Sequence, residues 1–122
     1  IDWQRMRVQV LEPLLAKKPA SWHPLDFQPG IGWNGWKDET VKLEPAPVVL
    51  VDGVYSARPE LADLVDLAVL VEADDEVRRK RLVIREGQDF MERWHKLWDC
   101  AEEYYFTHIC PRSSFDIVVR ND

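Results

Sequence analysis

Val48-Val49-Leu50-Val51-Asp52-Gly53 is the stretch on which the reading of this chain turns. Its apolar run has no polar face, and three of its four residues are β-branched Val. A strand apolar on both sides is one buried on both sides, the condition inside a parallel sheet. Two more runs share the pattern: Leu67 to Val71, closed by Glu72, and Phe115 to Val119, with Asp116 inside it. Helical segments fall between them. Arg58 to Leu64 is short. Asp74 to Glu86 opens on a capping acid and stops at Gly87. Asp89 to His108 opens on the capping-box-like pair Asp89 and Glu92, with an expected buried stripe of Phe90, Trp94, Leu97, Trp98, Ala101 and Tyr105. Strand-helix-strand alternation of this kind predicts an α/β domain with a parallel sheet and flanking helices over residues 1–122. Three strands make a small sheet, so further strands are expected ahead of Ile1 or from a partner.

Toward the N-terminus the rhythm changes. Asp2 to Leu15 places Trp3, Met6, Val10 and Leu14 on one helical stripe, with Asp2 as the cap. Pro13 lacks an N–H donor and is expected to kink or fray the last turn. Lys17 to Pro29 reads as loop, interrupted by Pro19, Pro24 and Pro29. Residues 31–44 read as a small β-hairpin turning at Asn34-Gly35, with Val41 and Leu43 on a half-exposed strand and Pro45 and Pro47 closing it. Gly30, Gly32 and Gly35 spell G-x-G-x-x-G, the dinucleotide fingerprint. That motif needs a buried strand before it and a helix after it, and neither flank supplies one. No G-x-x-x-x-G-K-[ST] phosphate loop occurs in the 122 residues.

Composition narrows the classes. An apolar content of 46% and six Trp argue against disorder. Sixteen basic against 22 acidic residues give a net charge of −6, so no global grip on nucleic acid is expected. The apolar runs are too short to span a bilayer, and no secretory leader is visible. Cys100 and Cys110 read as reduced thiols, and His23, His95 and His108 show no metal spacing. A cytoplasmic protein without nucleic-acid or membrane partners is expected, and a homo-oligomer is left open.

Two features carry chemistry. Asp52 ends an apolar run, and ligands gather at the carboxyl edge of parallel strands. A carboxylate there can hold Mg²⁺ directly or through water, although Asp-Gly is also a plain turn pair. On the segment from Asp74, Arg78, Arg81 and Arg85 fall on one narrow helical face. Like charges at that spacing repel, so the face suits a polyanion such as a nucleoside triphosphate. It also reads as solvated surface stitched by Asp74–Arg78, Asp75–Arg79 and Glu76–Lys80. Asp2 and Asp26 read first as a cap and a loop acid.

In order and spacing these pieces resemble the uridine kinase family, within the P-loop nucleoside and small-metabolite kinases. The matching pieces are Ile1-Asp2-Trp3 with Leu11-Glu12-Pro13-Leu14, Pro24-Leu25-Asp26-Phe27 and Val48 to Tyr55. Leu64 to Leu67, Leu70 to Asp74, Arg78-x-x-Arg81-x-x-x-Arg85-Glu86 and Phe115 to Val119 follow. The resemblance implies a three-layer kinase fold and ATP-dependent phosphoryl transfer to a hydroxyl of a nucleoside or related metabolite. It makes Arg78, Arg81 and Arg85 an arginine lid over the ATP phosphates and puts Asp52 near Mg²⁺, where the family has Glu. Asp2 would hold the ribose hydroxyls, with Asp26 and Tyr55 at the acceptor site.

The departures are specific. The family's phosphate loop and D-x-F-Y base would belong ahead of Ile1, so these 122 residues alone are expected to be inactive as a kinase. Leu25 stands where the family has a base-pocket Tyr, and Gln28 to Trp36 contains no His. The alternative is a non-catalytic module on the same fold, docking a protein through Trp33 and Trp36. A self-sufficient enzyme of another class would need an activated nucleophile, and no Ser or Cys sits in such a context.

Overall fold

A computed structural model describes residues 2–28, 32–88 and 95–122. By internal packing the chain divides into two compact units, Ile1–Ser56 and Ala57–Asp122. The architecture is mixed α/β, with a small parallel sheet and short antiparallel pairs.

In the first unit one helical run carries three geometries: α1 (Trp3–Met6), a π-helical turn (Arg7–Leu11) and α2 (Glu12–Leu15). The Asp2 carboxylate caps it, accepting from the Arg5 N–H at 3.1 Å. Pro13 does not end the run, which continues past it to Leu15. A proline ring collides with the carbonyl four residues back in a tight α-turn. The preceding turn is widened instead, with the Glu12 N–H donating to the Arg7 carbonyl. Leu11 and Leu14 are buried from this run, along with Ala20 from the strand packed against it.

The segment 17–29, expected as loop, contains two strands. β1 (Ala20–Trp22) pairs antiparallel with β4 (Val41–Leu43), in register Ala20↔Leu43 and Trp22↔Val41. β2 (Leu25–Gln28) pairs with β3 (Gly32–Trp36). Pro19 and Pro24 stand just outside these strands, where the missing N–H breaks no ladder bond. Asn34-Gly35 is not the turn. Leu25 pairs with Trp36 and Phe27 with Trp33, so β3 holds an extra residue there. Gly35 takes φ +93, a bulge conformation that a Cβ disfavours. Gly32 and Gly35 thus lie within a strand, and no helix follows them; Gly30 lies outside the described residues.

Val48 to Val51 forms no strand. Val48 is 81% and Leu50 89% exposed. An apolar run becomes a buried strand only when neighbours satisfy its backbone on both edges, and among the described residues none pairs with it. Asp52 follows in irregular chain, just before a turn closed by the Ser56 N–H on the Gly53 carbonyl at 3.0 Å.

The second unit holds the parallel pair. β5 (Val69–Glu72) and β6 (Ile117–Arg120) match residue for residue, Val69↔Ile117 through Glu72↔Arg120. Asp116 seals the start, its carboxylate accepting from the Ala68 N–H at 2.8 Å. A 3₁₀ helix (Pro59–Leu64) and α3 (Asp75–Glu86) match expectation. The last helical stretch runs through a π-helical turn (His95–Asp99), α4 (Cys100–Tyr104) and a second π-helical turn (Tyr105–Ile109). Asp89, Phe90, Glu92 and Trp94 of its expected cap and stripe lie outside the described residues. Leu97 and Trp98 are exposed, whereas Tyr105 and Cys110 are buried with Leu61. The π turns break the 3.6-residue period on which that stripe was drawn.

Candidate functional site

The three arginines of interest sit on α3, which forms for local reasons. Asp75 and Glu76 occupy its first turn and Arg85 its last, complementing the helix dipole. Gly87 ends it at φ +88. Asp74 occupies the cap position but makes no capping bond; its carboxylate meets Arg120 at 3.3 Å. Of the three pairs expected along the helix, Glu76–Lys80 is present at 3.9 Å. Arg78 instead turns to Asp75 at 3.5 Å and to Glu102 at 2.5 Å.

Arg78 is held by two carboxylates, those of Asp75 and Glu102. Burial pulls its pKa down, but the charge and hydrogen bond of Glu102, with Asp75 behind them, leave it above the ordinary value. Arg81 is exposed and donates to the Asn121 carbonyl at 2.7 Å. Arg85 is exposed at the helix end. The chain's C-terminal residues are therefore part of this surface. Asp122 accepts from the Asp74 N–H at 2.9 Å and pairs with Arg120 at 3.2 Å.

The remaining residues of interest belong to the first unit. Asp2 is exposed at the cap of α1. Asp26 is half-buried on β2 and accepts from the Asn34 amide at 2.7 Å across the strand pair. Tyr55 is half-buried in the turn after Asp52. Asp52 itself is exposed. Among the described residues, no group of three or more His, Cys, Asp or Glu is placed to hold a metal ion. Mg²⁺ commonly takes one or two protein carboxylates and completes its shell with water and phosphate oxygens. A single accessible carboxylate before a turn fits such a contributing ligand, not a closed cage.

The structure also brings together residues that the sequence reading passed over. Arg5, Gln9, Ser21, Trp22, His23 and Trp36 line a cleft of about 460 Å³. The Arg5 guanidinium lies 3.6 Å from the centroid of the Trp36 ring. It donates to Gln9 Oε1 at 2.9 Å and to the His23 carbonyl. His23 Nδ1 reaches the carbonyls of Lys37 at 3.0 Å and Glu39 at 3.2 Å. Arg5 and Gln9 were findable, being four apart on a helix; the approach of Trp36 to Arg5 depends on the hairpin closing. Glu102 was likewise missed as the partner of Arg78, since nothing local in sequence joins them.

No protein-family model matches the chain. Curated proteins do. The chain is 30% identical over 98 residues to the uridine kinase of Streptococcus uberis, which covers 80% of this chain and 43% of that protein. The same identity over 98 residues holds for the uridine kinases of Streptococcus pyogenes and of Streptococcus equi subsp. zooepidemicus, of which 44% is covered. The chain thus spans less than half the length of the curated relatives it matches. Across four-fifths of its length this chain is similar to curated proteins named uridine kinase, in agreement with the resemblance read from the sequence.

Proposed function

We propose that this chain is part of an ATP-dependent kinase that phosphorylates a hydroxyl of a nucleoside or a related small metabolite, working in the cytoplasm. The single observation that carries the reading is the 30% identity with uridine kinases over 98 residues. Within it, Arg78, Arg81 and Arg85 would spread guanidinium charge along one face of α3 toward the triphosphate. Arg78 would exchange one carboxylate partner, Glu102, for a phosphate oxygen, so Glu102 keeps it extended and oriented beforehand. Asp52 would contribute one carboxylate toward Mg²⁺. When bound, MgATP supplies the transferable phosphoryl group and neutralises part of its charge. Asp2 would accept from acceptor hydroxyls while its backbone stays fixed by the helix it caps. Asp26 and Tyr55 would line the acceptor, with Asp26 oriented by Asn34. A three-layer kinase fold belongs to the same proposal, with β5 and β6 as two strands of its parallel sheet.

Charge reversal tests it. In the full-length protein, Arg81→Glu raises the apparent KM for ATP or lowers kcat at least about tenfold, equivalent to about 1.4 kcal/mol. Steady-state assays with ATP and uridine or cytidine read the effect. An unchanged rate would return the arginine face to ordinary solvated surface.

A further inference from the structure

We infer that Asn121 and Asp122 form a brace that positions Arg81 for an incoming phosphate, with Asp122 as the positioning residue that anchors it; this rests on the phosphoryl-transfer reading above. Both residues are pinned. The Asn121 N–H donates to the Glu72 carbonyl at 2.8 Å, carrying the β5–β6 ladder one residue past Arg120. The Asp122 carboxylate accepts from the Asp74 N–H at 2.9 Å and pairs with Arg120 at 3.2 Å. Between these two anchors, the Asn121 carbonyl accepts from Arg81 Nη1 at 2.7 Å.

At Asp74 this tie replaces ordinary capping. An Asp at a helix start usually turns its carboxylate onto the N–H groups of the first turn. Here the carboxylate makes no such bond and meets Arg120 at 3.3 Å, while the Asp74 N–H goes to Asp122. The start of α3 is thereby fastened to the residues that follow β6, and Arg81 is fastened to the same residues. An exposed arginine side chain carries about 2 kcal/mol of rotamer entropy, which binding must otherwise remove. A carbonyl restrains the guanidinium without neutralising it, as a carboxylate would. With Nη1 on the carbonyl, Nε and Nη2 make up the other edge, and no described residue occupies that edge. Two parallel N–H groups match two oxygens of one phosphate. Arg78 differs, because the carboxylates of Asp75 and Glu102 already hold it. Arg81 is therefore the arginine of α3 that is both restrained and uncompensated in charge among the described residues.

Steady-state kinetics of the full-length protein with ATP and uridine test it, in a double-mutant cycle of Asp122→Ala and Arg81→Ala. Asp122→Ala is expected to raise KM for ATP at least about threefold and to leave KM for uridine in place. Asp122→Asn still accepts from the Asp74 N–H and is expected to keep KM for ATP within about twofold of wild type. Asn121→Pro removes the N–H bonded to Glu72, loosens the same carbonyl and is expected to match Asp122→Ala. In the Arg81→Ala background, Asp122→Ala is expected to change nothing further. The Arg81 Nε–H signal of the ¹⁵N-labelled protein, assigned through Arg81→Lys, is expected to lose order in Asp122→Ala and to keep it in Asp122→Asn. An unchanged KM for ATP in Asp122→Ala, beside a raised one in Arg81→Ala, overturns the inference and leaves the phosphoryl-transfer reading standing. So does an Asp122→Ala effect of equal size in the Arg81→Ala background, which would make Asp122 a contact of the fold alone. Unchanged kinetics in Arg81→Ala overturn both.

Discussion

Asp2 caps α1, and its proposed contact with the acceptor hydroxyls can be separated from that role. As a cap it accepts from the Arg5 N–H. Asn caps as well as Asp, whereas Ala does not and costs about 1 kcal/mol. Asp2→Asn should therefore leave the thermal midpoint in place while raising KM for the acceptor. Asp2→Ala should lower the midpoint as well. Calorimetry and acceptor kinetics on the same pair of variants check this. Glu72 makes a different point. Its hydrogen bond to Arg112, at 2.7 Å, holds its carboxyl below the ordinary 4.5. A depressed folded pKa means the ion pair helps at neutral pH and is lost as pH falls through the folded value. Glu72→Gln should thus flatten the acid limb of a stability-against-pH curve below about pH 4.5 and leave the neutral-to-basic limb parallel to wild type. Denaturant unfolding across that range measures it.

Among the elements, legibility followed the locality of the forces. α3 was readable to within a residue because its acids, apolar positions and terminal glycine all act within one turn. β5 and β6 were readable because apolar runs bounded by acids leave few alternatives. The hairpin was misread at Asn34-Gly35, where a dipeptide that favours positive φ serves a bulge as readily as a turn. Only the long-range pairing of Leu25 with Trp36 decides between them. Val48 to Val51 failed for the opposite reason: its composition states what the segment tolerates, and its conformation depends on neighbours. Amide hydrogen exchange of these 122 residues should show it. Val49 to Val51 should exchange orders of magnitude faster than Leu70 and Glu72, whose N–H groups face β6 in the parallel ladder. Comparable protection in both segments would mean that the run is paired after all.

At the scale of the whole molecule, each unit has its own small buried set: Leu11, Leu14 and Ala20 in one, Leu61, Tyr105 and Cys110 in the other. No helix among the described residues is long and apolar enough to cross a membrane. The two thiols report on the second unit. Cys100 is exposed and Cys110 buried. A thiol reagent should label one cysteine at once and the other at a rate set by opening of that unit, read by mass spectrometry after timed pulses. Equal rates would show that the Leu61–Tyr105–Cys110 cluster does not hold. The candidate site was legible in outline, as arginines on α3 and an acid after an apolar run. Its supporting contacts, Arg78 with Glu102 and Arg81 with the Asn121 carbonyl, were not, because they join residues far apart along the chain.

The uncovered Val48-Val49-Leu50-Val51 run has one more consequence. Short β-prone apolar stretches that carry no charge are templates for cross-β stacking between molecules. Here Pro45 and Pro47 stand immediately ahead and Asp52-Gly53 immediately behind. Two residues that cannot donate to a growing ladder, followed by a charge that would repeat at every rung, are gatekeepers against fibril growth. Replacing them would expose the protein to aggregation before any loss of fold was visible.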